Sequence, residues 1–84
     1  TSAYAFNTKD GLTDFSLYEV ELKREMVAVT NKTIALLDHS KINKNSIATF
    51  AHTREVDVLI TDQEVSDEIN EYFTSRGKVI EIAN

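Results

Sequence analysis

Cysteine and proline are both missing from this 84-residue chain, and glycine occurs only at Gly11 and Gly77. Without cysteine there is no disulfide scaffold, no thiolate zinc site and no thiol nucleophile, the usage expected of a cytoplasmic protein. Without proline there is little linker material, so the elements should follow one another closely. Long apolar runs are missing too. The longest, Ile34-Ala35-Leu36-Leu37 and Val58-Leu59-Ile60, fall far short of the ~20 residues of a membrane span, and no membrane partner is expected. Thr1-Ser2-Ala3-Tyr4 shows neither a basic stretch leading into an apolar one nor an initiator methionine, so a trimmed chain without a signal peptide is expected. Positive charge is scarce: 9 Lys and Arg stand against 14 Asp and Glu, a net charge of -5. Duplex DNA is held mainly by cationic contacts to phosphate, so this chain by itself is a poor DNA-binding module.

What is present suffices for one folded domain. Hydrophobic residues make up 42% and charged residues 27%, enough apolar material for a core. Ala3-Tyr4-Ala5-Phe6 reads as a short strand, and Asn7 to Phe15 as a polar loop with an Asp10-Gly11 turn. Ser16 and Glu19 have the spacing of a capping box, opening a helix from about Leu17 to Val29. Its apolar residues form two stripes, Leu17, Val20 and Val27 against Leu22, Met26 and Val29, which predicts cover on two sides. Thr33 to Asp38 and Val56 to Asp62 are continuous apolar runs closed by acids, the pattern of central parallel strands covered on both faces. Ile47 to Ala51 reads as a short edge strand. Ser66 caps a second helix that ends at Arg76-Gly77, and Lys78 to Ala83 is a closing strand. The alternation predicts an α/β fold, a mostly parallel sheet with flanking helices.

Ligands of open α/β sheets bind beyond the carboxyl ends of the strands. Asp38-His39-Ser40-Lys41 and Asp62 stand at two such ends. Capping of loop N–H groups would account equally well for Asp38 and Ser40, and a turn leading into the second helix for Asp62. Glu19 and Lys23 have i, i+4 spacing, which a solvated ion pair also explains. Thr13 and Asp14, just ahead of the helix, are within reach of a ligand or are plain loop residues. Asp57 is expected to face solvent, and His52 to lie on the surface. Two histidines without cysteine or a His-x-x-x-His pair make a structural metal site improbable. No Gly-rich phosphate loop is present. Asp38, His39 and Ser40 are consecutive and cannot form a catalytic relay.

Taken together, Gly11-Leu12-Thr13, Glu19-Val20-Glu21-Leu22-Lys23-Arg24-Glu25-Met26, Leu37-Asp38-His39-Ser40-Lys41 and Val56-Asp57-Val58-Leu59-Ile60-Thr61-Asp62 resemble the C-terminal sensor domain of DeoR-type bacterial transcriptional regulators. The resemblance runs from about Ala3 to Ala83. It implies half of a sensor related to ribose-5-phosphate isomerase and the CoA transferases, residues 1–84 forming one partial sensor domain. It also implies a phosphorylated sugar as effector, DNA contact only through an N-terminal winged helix that these residues do not include, and a role in repressing sugar metabolism. The ligand-site set it supports is Thr13, Glu19, Lys23, Asp38, Lys41 and Asp62, with no catalytic residue, metal or cofactor. The family's Gly/Ser/Thr phosphate loop does not appear in these residues, and Thr8-Lys9-Asp10 and Asp14-Phe15 differ from its commoner pattern. An alternative from another class is a fragment of an isomerase-like enzyme using Asp38 and Lys41 for acid–base chemistry. A receiver-like domain is disfavoured because Ala3-Tyr4-Ala5-Phe6-Asn7 supplies no acidic pair. Both helix starts carry acids (Glu19; Asp67 and Glu68), so this chain alone is expected to bind the effector weakly or not at all. The two-sided helix predicts a homo-oligomer.

Overall fold

The strands sort into two three-stranded sheets in the computed structural model, which describes residues 1–83. The first is antiparallel, in the order β1 (Ala5–Asn7), β2 (Gly11–Asp14) and β4 (Ala48–Ala51). The second is parallel, in the order β3 (Ile34–Leu36), β5 (Val58–Thr61) and β6 (Val79–Ile82). Helix α1 (Leu17–Val29) leads from the first sheet to the second, and α2 (Asp67–Ser75) connects β5 to β6. The α/β assignment and the parallel sheet stand.

The antiparallel sheet corrects the expectation of a polar loop from Asn7 to Phe15. Asp10-Gly11 is a turn, but it closes a hairpin whose return strand is β2. Gly11 has φ +77°, and a Cβ there would press on the Ala51 carbonyl oxygen and lie 2.9 Å from the His52 Cα, so the position requires glycine. Thr33 to Asp38 also needs correction as a central strand. β3 lies at a sheet edge, with Ala35 buried and Ile34 and Leu36 41% and 60% exposed. In the parallel sheet the central strand is β5, with Val58, Leu59 and Thr61 buried. Ala48–Ala51 is an edge strand, as its short apolar patch predicts.

Both helices begin where their caps place them. The Ser16 hydroxyl accepts from the Glu19 N–H (3.4 Å) and the Ser66 hydroxyl from the Ile69 N–H (3.5 Å). The reciprocal half of the first capping box gives way to an ion pair, because the Glu19 carboxylate turns to Lys23 (3.7 Å). Gly77, φ +68°, follows the end of α2. One core joins the two sheets: Phe6, Leu12, Val20, Phe50, Leu59, Ile69 and Phe73 belong to a single buried cluster, with the Phe6 and Phe73 rings edge to face at 6.3 Å. Of α1, only Val20 is buried and Val27 half-buried. Leu17, Leu22, Met26 and Val29 are exposed, so one predicted stripe is only partly covered and the other is bare.

Asp57 is likewise corrected. Its carboxylate accepts from the Thr33 N–H (2.7 Å) and stands 3.8 Å from the Lys78 ammonium, tying together the starts of all three parallel strands. His52 is exposed, as expected, and begins the 3-10 turn Thr53–Glu55.

Candidate functional site

The last residue of β2 starts the site. Asp14 is 7% exposed, which requires a partner for its charge. The partner is Lys23, one and a half turns into α1, whose ammonium lies 2.7 Å from Asp14 Oδ2. The same ammonium donates to the Ser2 carbonyl (2.8 Å), lies 3.7 Å from Glu19 and sits 5.1 Å from the centre of the Phe50 ring. Lys23 is therefore held on several sides. The i, i+4 pair with Glu19 is real but secondary to Asp14.

Around this anchor lies a cleft of about 270 Å³. Its lining includes Ser2, Tyr4, Asp14, Phe15, Glu19, Lys23 and Lys41. Tyr4 and Phe15 form one wall, edge to face with centroids 5.0 Å apart. Lys41 arrives from the 3-10 turn His39–Lys41 that follows β3. Among the described residues no carboxylate lies within 4.0 Å of its ammonium. Glu19, Lys23 and Lys41 thus share one cleft.

The other three residues lie elsewhere. Asp38 caps the 3-10 turn: its Oδ1 accepts from the Ser40 N–H (2.9 Å) and from the Ser40 hydroxyl. The Ser40 hydroxyl, more than any other neighbour, holds the Asp38 carboxyl below its ordinary value. Lys41 adds to this, while desolvation and Asp62 oppose it. Asp62, at the end of β5, accepts from the His39 N–H (2.7 Å) and faces the His39 ring nitrogen Nδ1 (3.1 Å). The His39 ring and then its N–H hold the Asp62 carboxyl below its ordinary value. Asp62 thereby fastens to β5 the turn that carries Lys41, a task that reading it as a turn into α2 did not foresee. Thr13 is 2% exposed, and its hydroxyl donates to the Ala5 carbonyl (3.3 Å) and accepts from the Ser46 N–H (2.9 Å). It ties β1 and the segment ahead of β4 to β2 and is not part of the cleft lining.

Sequence spacing did not single out the Asp14–Lys23 pair, because its members lie on different elements nine residues apart. The signal that the sequence does carry is an acid, Asp14, just ahead of the Ser16 cap.

The cleft thus combines a clamped lysine, a second lysine without an acid and an aromatic wall, within an α/β fold. Residues 1–63 match the family model described as the DeoR C terminal sensor domain. The chain belongs to that family. It is 42% identical over 82 residues to the HTH-type transcriptional regulator GolR of Listeria innocua, an alignment covering 98% of this chain and 32% of the relative. It is 31% identical over 71 residues to the HTH-type transcriptional regulator IolR of Bacillus subtilis, covering 84% and 28%. It is also 28% identical over 79 residues to the HTH-type transcriptional regulator UlaR of Salmonella arizonae, covering 88% and 32%. The chain spans about a third of the length of these relatives. Among the described residues no helix is long and apolar enough to cross a membrane.

Proposed function

We propose that the cleft between α1, residues 2–4 and the turn after β3 receives a phosphorylated sugar, and that this chain is the effector-sensing portion of a cytoplasmic transcriptional repressor of sugar metabolism. The observation that carries the reading is Lys41. It is half-buried in the cleft lining and is left without a carboxylate among the described residues, while the neighbouring Lys23 is neutralised by Asp14. A phosphate placed against Lys41 gains a charge-assisted contact, and Glu19, Ser2 and Lys23 line the side where sugar hydroxyls would lie. DNA contact belongs to a winged helix outside these residues, in keeping with relatives that carry the helix-turn-helix designation and about three times the length.

The reading is of a binding site and not a catalytic one. Acid–base chemistry by Asp38 and Lys41 needs both groups at the substrate, but Asp38 is turned to Ser40 and is not part of the cleft lining. The bare stripe Leu22, Met26 and Val29 supports self-association.

Backbone 1H–15N spectra of the chain titrated with fructose 6-phosphate test the assignment. Shifts concentrated at residues 2–4, Lys23 and Lys41, saturating in the millimolar range, are expected. Shifts confined to other surfaces would overturn it.

A further inference from the structure

We infer that the cleft continues into a second anion subsite around Lys44, so that the preferred effector carries negative charge at both ends of a short polyol chain. This rests on the cleft being the effector site. The cleft does not end at Lys41. Tyr4 and Lys41 also line an adjoining depression of about 360 Å³ that reaches Lys44 and Asn45. Lys44 and Asn45 in turn line a third, of about 480 Å³, with Asn7 and Lys9. The three depressions lie next to one another and share these residues as walls.

The backbone explains why both lysines line these depressions. Ile42 bridges in parallel to Phe6 and is buried, and the Lys44 N–H donates to the Phe6 carbonyl (3.2 Å). Asn43, between them, has φ 60°, a left-handed conformation that asparagine tolerates better than most residues. The segment therefore runs along β1 with Ile42 plugged into the core and Lys41 and Lys44 lining the same depression. Three residues of backbone span at most about 10 Å, so one small ligand can reach both lysines.

Charge points the same way. On a chain of net charge -5, Lys9, Lys41 and Lys44, like Lys32 elsewhere, have no carboxylate within 4.0 Å among the described residues, whereas Lys23 and Lys78 do. Asp10, the acid in the third depression, is engaged by the Asn7 amide (3.0 Å). The two outer depressions are lined by Lys9, Lys41 and Lys44 against one carboxylate, Asp10, a local excess of positive charge that draws anions. Asn43 and Asn45 beside them offer amides to hydroxyl groups.

Titration of the chain with fructose 6-phosphate, fructose 1,6-bisphosphate and 6-phosphogluconate, followed by 1H–15N shifts, decides the matter. At least one of the two ligands charged at both ends is expected to bind about tenfold more tightly than fructose 6-phosphate, with shifts at Lys44 and Asn45 added to those at Lys41. Which of the two gains shows whether the second group is a phosphate or a carboxylate. Lys44→Gln should bring the favoured ligand back to the affinity of fructose 6-phosphate. Equal affinities for all three ligands, or a Lys44→Gln variant weakened for all three in the same proportion, would overturn the second subsite and leave the cleft standing. Absence of any shift at the cleft would overturn both.

Discussion

At the scale of single residues, the buried carboxylate of Asp14 determines what Lys23 can do. Lys23→Met removes the ammonium that pairs with a carboxylate of a residue 7% exposed, and the Ser2 carbonyl loses that donor. We expect an unfolding free energy lower by about 2 kcal/mol in urea titration, with Asp14→Asn in the same background recovering part of it. A loss confined to a few tenths would show the pair to be no stronger than an exposed one. Asp38 and Asp62 behave differently because both are exposed. Their folded pKa values lie below the ordinary carboxylate value, so the stabilisation they give is present above that value. It is lost as the pH falls through the folded values, in a window below about 4. Thermal unfolding followed from pH 5 to pH 2 should show this acid loss, and Asp62→Asn should reduce it. A variant with an unchanged acid profile would show that His39 does not hold Asp62. The residue types of the candidate site were legible in the sequence, since Glu19, Lys23 and Lys41 do share the cleft. The pairing was not, because Asp14–Lys23 and His39–Asp62 each join two elements, and local spacing carries no information about such contacts.

The elements show the same division. Both helices were legible nearly to the residue, because their caps are local chemistry: a hydroxyl at Ser16 or Ser66 three positions before the N–H it accepts. Ser66→Ala should lower stability by about 1 kcal/mol, read from the urea midpoint. The hairpin was missed because β2 is only four residues long and was read as part of the polar loop around Asp10-Gly11. The two glycines now separate by environment. A Cβ at Gly77 meets nothing within 4 Å, so Gly77→Ala costs only the left-handed strain, about 1 kcal/mol. Gly11→Ala adds a collision with the backbone of Ala51 and His52 and should cost clearly more. Equal midpoints for the two variants would contradict the hairpin as drawn. The run at β3 was apolar enough for a central strand, yet apolarity alone does not distinguish a face covered by this chain from one left bare within it.

For the molecule as a whole, net charge and exposed apolar surface both point outward. Leu22, Met26 and Val29 on α1 are 47%, 56% and 85% exposed, an uneconomical arrangement for a permanently monomeric chain. Sedimentation over a range of concentrations should show association that Met26→Ala weakens while leaving the thermal midpoint within about 2 °C. A mass fixed at 9.5 kDa at every concentration would contradict it. The central claim concerns the other surface feature, an unneutralised lysine in a cleft of an acidic sensor domain. The most direct measurement is the dissociation constant of fructose 6-phosphate for the chain with Lys41 and with Lys41→Met. Lys41 forms no ion pair among the described residues, so the variant should fold like its parent and bind about tenfold more weakly. Equal affinity of the two proteins would contradict the assignment of the cleft as the effector site.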